Sequence, residues 1–195
     1  MSELNFRQAE ASDAPFLAQC VTEVSQGVVE ALLDGLLPGI SATQVLTMVL
    51  QDDSSAFSHK NCVLAELEAK PQGLLFAYPS EEQEIPKLLR AMTSKARLEP
   101  LEDLLTCKIA DTLYINTLWV APDFRGQGLA DALIDYAKYW AQGLELKGLS
   151  LFSARNNTRA CQFYQRMGFT VQREVFVPPS LALKISAGDL YFCEL

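Results

Sequence analysis

Histidine, paired cysteines and clustered positive charge are what this sequence lacks. There is one histidine, His59, and the five cysteines, Cys20, Cys62, Cys107, Cys161 and Cys193, lie far apart with no Cys-x-x-Cys spacing. That pattern excludes a disulfide framework and offers no zinc ligand set, so no metal is expected. It also points to a reducing, cytoplasmic compartment. No run of Lys or Arg occurs, and 16 basic residues stand against 24 acidic ones for a net charge of −8. A nucleic-acid partner is therefore not expected, whereas an acidic surface suits a cationic partner such as a free amine. No apolar stretch approaches the ~20 residues of a membrane helix. Met1-Ser2-Glu3-Leu4 has neither a basic nor an apolar leader character, so no secretory segment is expected. Internal repeats and low-complexity tracts are absent too. What remains is a chain of 195 residues, 49% hydrophobic, which is enough for one domain with its own core.

The chain is organised around Tyr114 to Ala130, Y-I-N-T-L-W-V-A-P-D-F-R-G-Q-G-L-A. Tyr114, Ile115, Thr117, Leu118, Trp119 and Val120 are strand formers, and Pro122 ends the ladder because it has no N–H to donate. Arg125-Gly126-Gln127-Gly128 makes a glycine-bearing loop. Leu129, Leu133, Tyr136, Ala137 and Trp140 then recur at helical steps. A strand, a glycine loop and a helix start together make an anion site. The first helical amides have no internal partner, the helix dipole is positive there, and glycines let phosphate oxygens approach the backbone. No Lys-Ser/Thr follows the glycines, as a nucleotide P-loop requires, and no three-glycine dinucleotide fingerprint is present.

Val120-Ala121-Pro122-Asp123-Phe124-Arg125-Gly126-Gln127-Gly128-Leu129-Ala130 resembles the cofactor motif of the GNAT superfamily of N-acetyltransferases, V-x-P-x-x-R-G-x-G-x-A/G. A second stretch, Asn157-Thr158-Arg159-Ala160-Cys161-Gln162-Phe163-Tyr164-Gln165-Arg166-Met167-Gly168-Phe169, resembles that family's N-x-x-A-x-x-F/L-Y-x-x-x-G-F. The joint match is specific where either motif alone is moderate. The resemblance implies a single α/β domain over residues 1–195, with a mixed twisted sheet of about six to seven strands, helices on both faces and splayed parallel central strands. It implies acetyl-CoA as co-substrate. The loop Arg125, Gly126, Gln127, Gly128, Leu129 and Ala130 would hold the pyrophosphate. Leu118, Trp119 and Val120 on the strand, with Asn157 and Ala160 on the second motif, would hold the pantetheine arm. Tyr164 would place its hydroxyl near the sulfur as general acid.

The acceptor would be an amine, small or peptidic, attacking the thioester directly. One departure stands out. Many family members carry Glu four residues before the valine of the cofactor strand, where this chain has Asn116, and an amide accepts no proton at neutral pH. The first helix, expected to run from Ser12 or Asp13 to Asp34-Gly35, places Glu23, Gly27, Glu30 and Asp34 on one stripe. A different carboxylate, a water relay or a substrate already neutral must serve instead, and Glu30 and Glu23 are the candidate carboxylates. His59 reads as an exposed or locally bonded surface residue and Cys161 as packing, which leaves a Cys161–His59 hydrolase with only residue types in its favour. A catalytically silent acyl-CoA sensor on the same fold is the rival that Asn116 favours.

The rest of the chain reads as elements. Asn5 to Glu10 is a first strand and Ala42 to Gln51 a helix capped by Ser41. Asn61 to Glu68 and Gly73 to Tyr78 form a hairpin turning at Lys70-Pro71-Gln72-Gly73. Residues 79–112 are a helical insertion or lid. Gly148 to Ala154 is a strand parallel to the cofactor strand. Phe169 to Phe176 and Asp189 to Glu194 close the sheet across Val177-Pro178-Pro179. An exposed last strand at Tyr191-Phe192-Cys193 predicts edge-to-edge pairing into a homodimer.

Overall fold

A computed structural model describes residues 4–177, 183–185 and 187–195. In chain order the elements are β1 Leu4–Gln8, α1 Ala14–Val24, α2 Val28–Leu33, α3 Ala42–Gln51, β2 Cys62–Leu67 and β3 Lys70–Pro79. Three short helices follow, α4 Lys87–Met92, α5 Lys95–Leu98 and α6 Glu102–Thr106. Then come β4 Thr112–Val120, α7 Leu129–Gly143, β5 Gly148–Ala154, α8 Thr158–Arg166, β6 Thr170–Phe176 and β7 Ala187–Glu194. The strands form one seven-stranded sheet in the order β1-β2-β3-β4-β5-β7-β6. Only β4 and β5 run parallel; every other pairing is antiparallel.

Two cores flank the sheet. One collects the apolar sides of α1, α2 and α3, the insertion helices, and Phe76, Tyr78, Tyr114 and Trp119 from the strands. The other packs Leu129, Leu133, Ile134, Ala137 and Ala141 of α7 against Leu75, Leu113, Ile115 and Leu149. The interior strands are apolar on successive residues because both faces are covered.

Several expectations are corrected. The first helix is two helices. Gln26 (φ 52°) and Gly27 (φ 97°) take left-handed conformations, the Ser25 hydroxyl donates to the Thr22 carbonyl, and the Lys184 N–H donates to the Gln26 carbonyl at 3.0 Å. Glycine accepts that conformation without cost but disfavours a helix interior, so the break falls there although the apolar spacing runs straight through it. The hairpin turns at Glu68-Ala69 (φ 52° and 59°) instead of Lys70–Gly73. The last strand is not an edge: β7 lies between β5 and β6, and Tyr191 and Cys193 are buried. Its ladder groups are used on both sides, so Tyr191-Phe192-Cys193 cannot pair with a second copy. The edges are β1 and β6. The Pro178-Pro179 turn lies outside the described residues. No helix among the described residues is long and apolar enough to cross a membrane.

Candidate active site

The site begins with a fault in β4. Phe76 of β3 pairs with Thr117 and Ala77 with Ile115, so Asn116 is an extra residue bulged out of the ladder. The bulge shifts the phase of the strand. Leu113, Ile115, Leu118 and Val120 all face the α7 core, whereas unbroken alternation would put 118 and 120 on the opposite side. It is also where β4 leaves its parallel neighbour. The β4–β5 register runs from Thr112↔Gly148 to Ile115↔Leu151 and stops. A hydroxyl pair, Thr112 and Ser150 at 2.7 Å, holds the closed end. Thr112 already donates to the Ile109 carbonyl, so Ser150 is the donor between them.

Beyond Ile115 a gap opens. The Ala121 N–H donates to the Gln72 carbonyl at 2.8 Å. Antiparallel ladder bonds alternate, so Trp119 faces β3, and Leu118 and Val120 turn their N–H and C=O toward the gap. The Val120 carbonyl accepts from Arg125 Nε at 2.9 Å, which leaves its amide. Leu118 and Val120 thus offer backbone groups to a ligand lying in the gap. Trp119 offers none there: its indole lies in the α1 core, and its Nε1–H donates to Glu23 Oε2 at 2.8 Å.

The glycine loop follows one 3₁₀ turn at Pro122–Phe124. Gly126 (φ 80°) and Gly128 (φ 86°) are left-handed, and a Cβ on either would meet nothing within 4 Å. Conformation, not crowding, requires glycine here, and the space above the loop is open. Gly128 is the N-cap of α7 and brings no side-chain acceptor. The first-turn amides, Leu129 and Ala130 among them, therefore present donors and the positive end of a 15-residue helix. Gln127 Nε2 donates to the Asp123 carbonyl at 2.6 Å and braces the loop. These features fit a pyrophosphate.

Arg125 is less free than the sequence suggests. Its guanidinium meets Glu23 at 2.9 Å while its Nε holds Val120. Glu23, expected as a base, is instead a latch joining the end of α1 to both the strand and the loop. Sequence offered no signal for that pairing, since 102 positions separate the partners. Glu30 is exposed on α2 and does not line the cavity, because the Gln26-Gly27 turn breaks the stripe that joined it to Glu23.

On the far side of the gap stands α8. Asn157 is its N-cap, its Oδ1 accepting from the Ala160 N–H at 3.2 Å; its Nδ2 has no partner among the described residues. Arg166 closes the other end on Asp131 at 2.6 Å and holds that carboxyl below its ordinary range. Tyr164 packs on Phe163, Phe169 and Tyr191. Its hydroxyl finds no hydrogen-bond partner among the described residues. Burial, then nearby Cys161, pushes its pKa well up, so the hydroxyl keeps its proton at neutral pH. Cys161 itself sits 3.5 Å from the Ala154 carbonyl as a packing residue. His59 is buried, not exposed, with Nδ1 2.9 Å from the Leu50 carbonyl, and does not line the cavity.

The gap opens into a cavity of ≈ 260 Å³. Asn116, Leu118, Phe152, Ala160 and Tyr164 line one end. Val21, Val29, Leu33, Leu89, Leu104 and Ile185 line the other, so α1, α2, the insertion and the segment before β7 all wall it. Asn116 is engaged at both ends: Nδ2 donates to the Tyr78 hydroxyl at 3.3 Å and Oδ1 accepts from Thr117 at 3.1 Å. Burial drives the Tyr78 hydroxyl pKa upward, Asn116 offsetting only part of it, so Tyr78 is no base.

Residues 48–169 match the model of the acetyltransferase (GNAT) family. The chain belongs to the GNAT acetyltransferase family. A 61-residue stretch is 39% identical to streptothricin acetyltransferase of Escherichia coli, covering 31% of this chain and 35% of that protein. The match thus spans about a third of that relative's length. Among solved structures, an N-acetyltransferase from Staphylococcus aureus Mu50 superposes with a TM-score of 0.67 at 20% identity, over 96% of this chain and 99% of that one. An agmatine N-acetyltransferase superposes with a TM-score of 0.66 at 15% identity, over 98% and 99%. At such identities the likeness is one of fold, and it matches the GNAT sheet with its splayed central strands.

Proposed function

We propose that this GNAT protein transfers the acetyl group of acetyl-CoA to the nitrogen of an amine by direct attack. The observation that carries this reading is the Asn116 bulge. It opens the β4–β5 gap beside the cavity that Tyr164 lines, on the strand that leads into the glycine loop. The loop amides from Gly126 to Ala130 bind the pyrophosphate, and the Leu118 and Val120 backbone groups with the Asn157 amide nitrogen bind the arm. Acetyl-CoA supplies an activated acyl group: the C–N bond forms as the C–S bond breaks, the amine loses a proton, and the sulfur gains one. Tyr164 donates that proton, and the Val120 amide faces the oxygen on which charge builds.

The amine's own proton leaves by another route than Asn116, whose amide has both ends engaged. That feature favours a second reading, a silent acyl-CoA sensor. Incubation with acetyl-CoA and an amine panel separates the two. The enzyme reading expects free thiol and N-acetylated amine in equal amounts. Tight CoA binding with no amine-dependent thiol from any acceptor supports the sensor and refutes the enzyme.

A further inference from the structure

Resting on that reading, we infer that the acceptor is an amine carried on a single uncharged apolar body, and that Glu84 receives its ammonium at the cavity mouth. The cavity joins side chains from widely separated parts of the chain, and Glu84 is the one charged residue in its wall among the described residues. Beyond the gap the remaining wall is aliphatic or aromatic apart from Ser25 and Gln26, which are uncharged. Tyr78 and Tyr114 tilt together there at 5.8 Å between ring centroids, a surface suited to an aromatic or branched alkyl group.

A second cation drawn past Glu84 would find no counter-charge among the described wall residues, and burying an unpaired charge is strongly unfavourable. The first cation faces the same barrier, so the amine must enter neutral. Glu84 is placed for that step. It is exposed, and it is shared with an adjoining open cavity of ≈ 540 Å³ walled also by Asp53, Glu81 and Glu82. The single cation in that wall, Lys60, is held by Asp53 at 2.6 Å. The negative groove draws an ammonium to the mouth; the proton is left to solvent there, and the neutral apolar body moves in.

The test uses the full chain saturated with CoA for binding, or with acetyl-CoA for turnover. It compares 2-phenylethylamine with 1,4-diaminobutane. The aromatic monoamine should bind by calorimetry and show at least about a tenfold higher kcat/KM. Glu84→Gln, on the surface, should raise its KM about five- to tenfold with kcat little changed, and should flatten the rise of KM with salt. Leu89→Glu, on a half-buried wall position, should weaken the monoamine about tenfold while CoA affinity holds. Preference for the diamine, or binding of neither amine by a protein that binds CoA, overturns the inference. Binding of the monoamine without acetylation upholds it and refutes the enzyme reading instead.

Discussion

The half of the molecule that faces the cofactor and the half that faces the acceptor are built by opposite means. From β4 to α8 the site is made of backbone: a bulge at Asn116, two left-handed glycines, a helix start without a side-chain cap, and ladder groups turned into a gap. The acceptor half is made of side chains. Val21 and Val29 come from α1 and α2, Leu89 and Leu104 from the insertion, and none of these positions demands its particular residue. Backbone devices tolerate few substitutions and mark the sequence; an apolar wall needs only bulk and accepts many. The consequence is a fixed donor site beside an adaptable acceptor site, joined at Asn116 and latched by Glu23.

That contrast can be broken or sharpened by substitution. The largest effect is expected at Tyr164, the proposed proton donor between the halves. Tyr164→Phe keeps the ring and its packing, so CoA should bind as before while kcat falls by ~10²–10⁴. An unchanged kcat with a good acceptor would reduce Tyr164 to a core residue. Next is the loop. Gly128→Glu forces a side chain into a left-handed position and sets like charge against phosphate, and CoA affinity should fall about 100-fold. The melting temperature should fall by only about 2–4 °C, the cost of a side chain at a left-handed position where the space is otherwise open. Glu23→Gln tests the latch. Its ion pair with Arg125 is half-exposed, so the KM for acetyl-CoA should shift by only about three- to fivefold. A much larger loss would make the latch essential to loop geometry.

The smallest effect concerns the frame. Arg7 bonds both Asp13 and Glu66 and holds the Asp13 carboxyl below its ordinary range, despite partial burial. A depressed folded pKa contributes stability that is present above the unfolded value, about 3.9, and is lost as pH falls through the folded one. Urea midpoints should therefore decline below about pH 4 more steeply in the wild type than in Asp13→Asn. Parallel curves would remove that pair from the acid response.

The same contrast explains what the sequence discloses. Gly126, Gly128, Pro122 and Asn157 are legible because a backbone conformation or a cap selects each residue type. Strand β5 and helix α3 are legible from their period and, for α3, its Ser41 cap. The break at Gln26 is not, since glutamine seldom signals a left-handed turn and the apolar spacing continues across it. Nor is the hairpin turn, where Lys70-Pro71-Gln72-Gly73 has the turn composition but Glu68 and Ala69 take the turn conformation. Sheet order cannot be read from chain order, and that is why β7 looked like an edge. Glu23, Tyr78 and Glu84 stayed hidden because their roles come from partners far off in sequence. Glu30 was proposed from a helical stripe that the turn dissolves.

The division of the site into two halves is tested most directly by titrating CoA, in one calorimetric series, into wild type, Leu89→Glu and Gly128→Glu. The account predicts that Leu89→Glu binds CoA as wild type does while Gly128→Glu loses about 100-fold. Equal weakening of both variants, or wild-type affinity in Gly128→Glu, would contradict it.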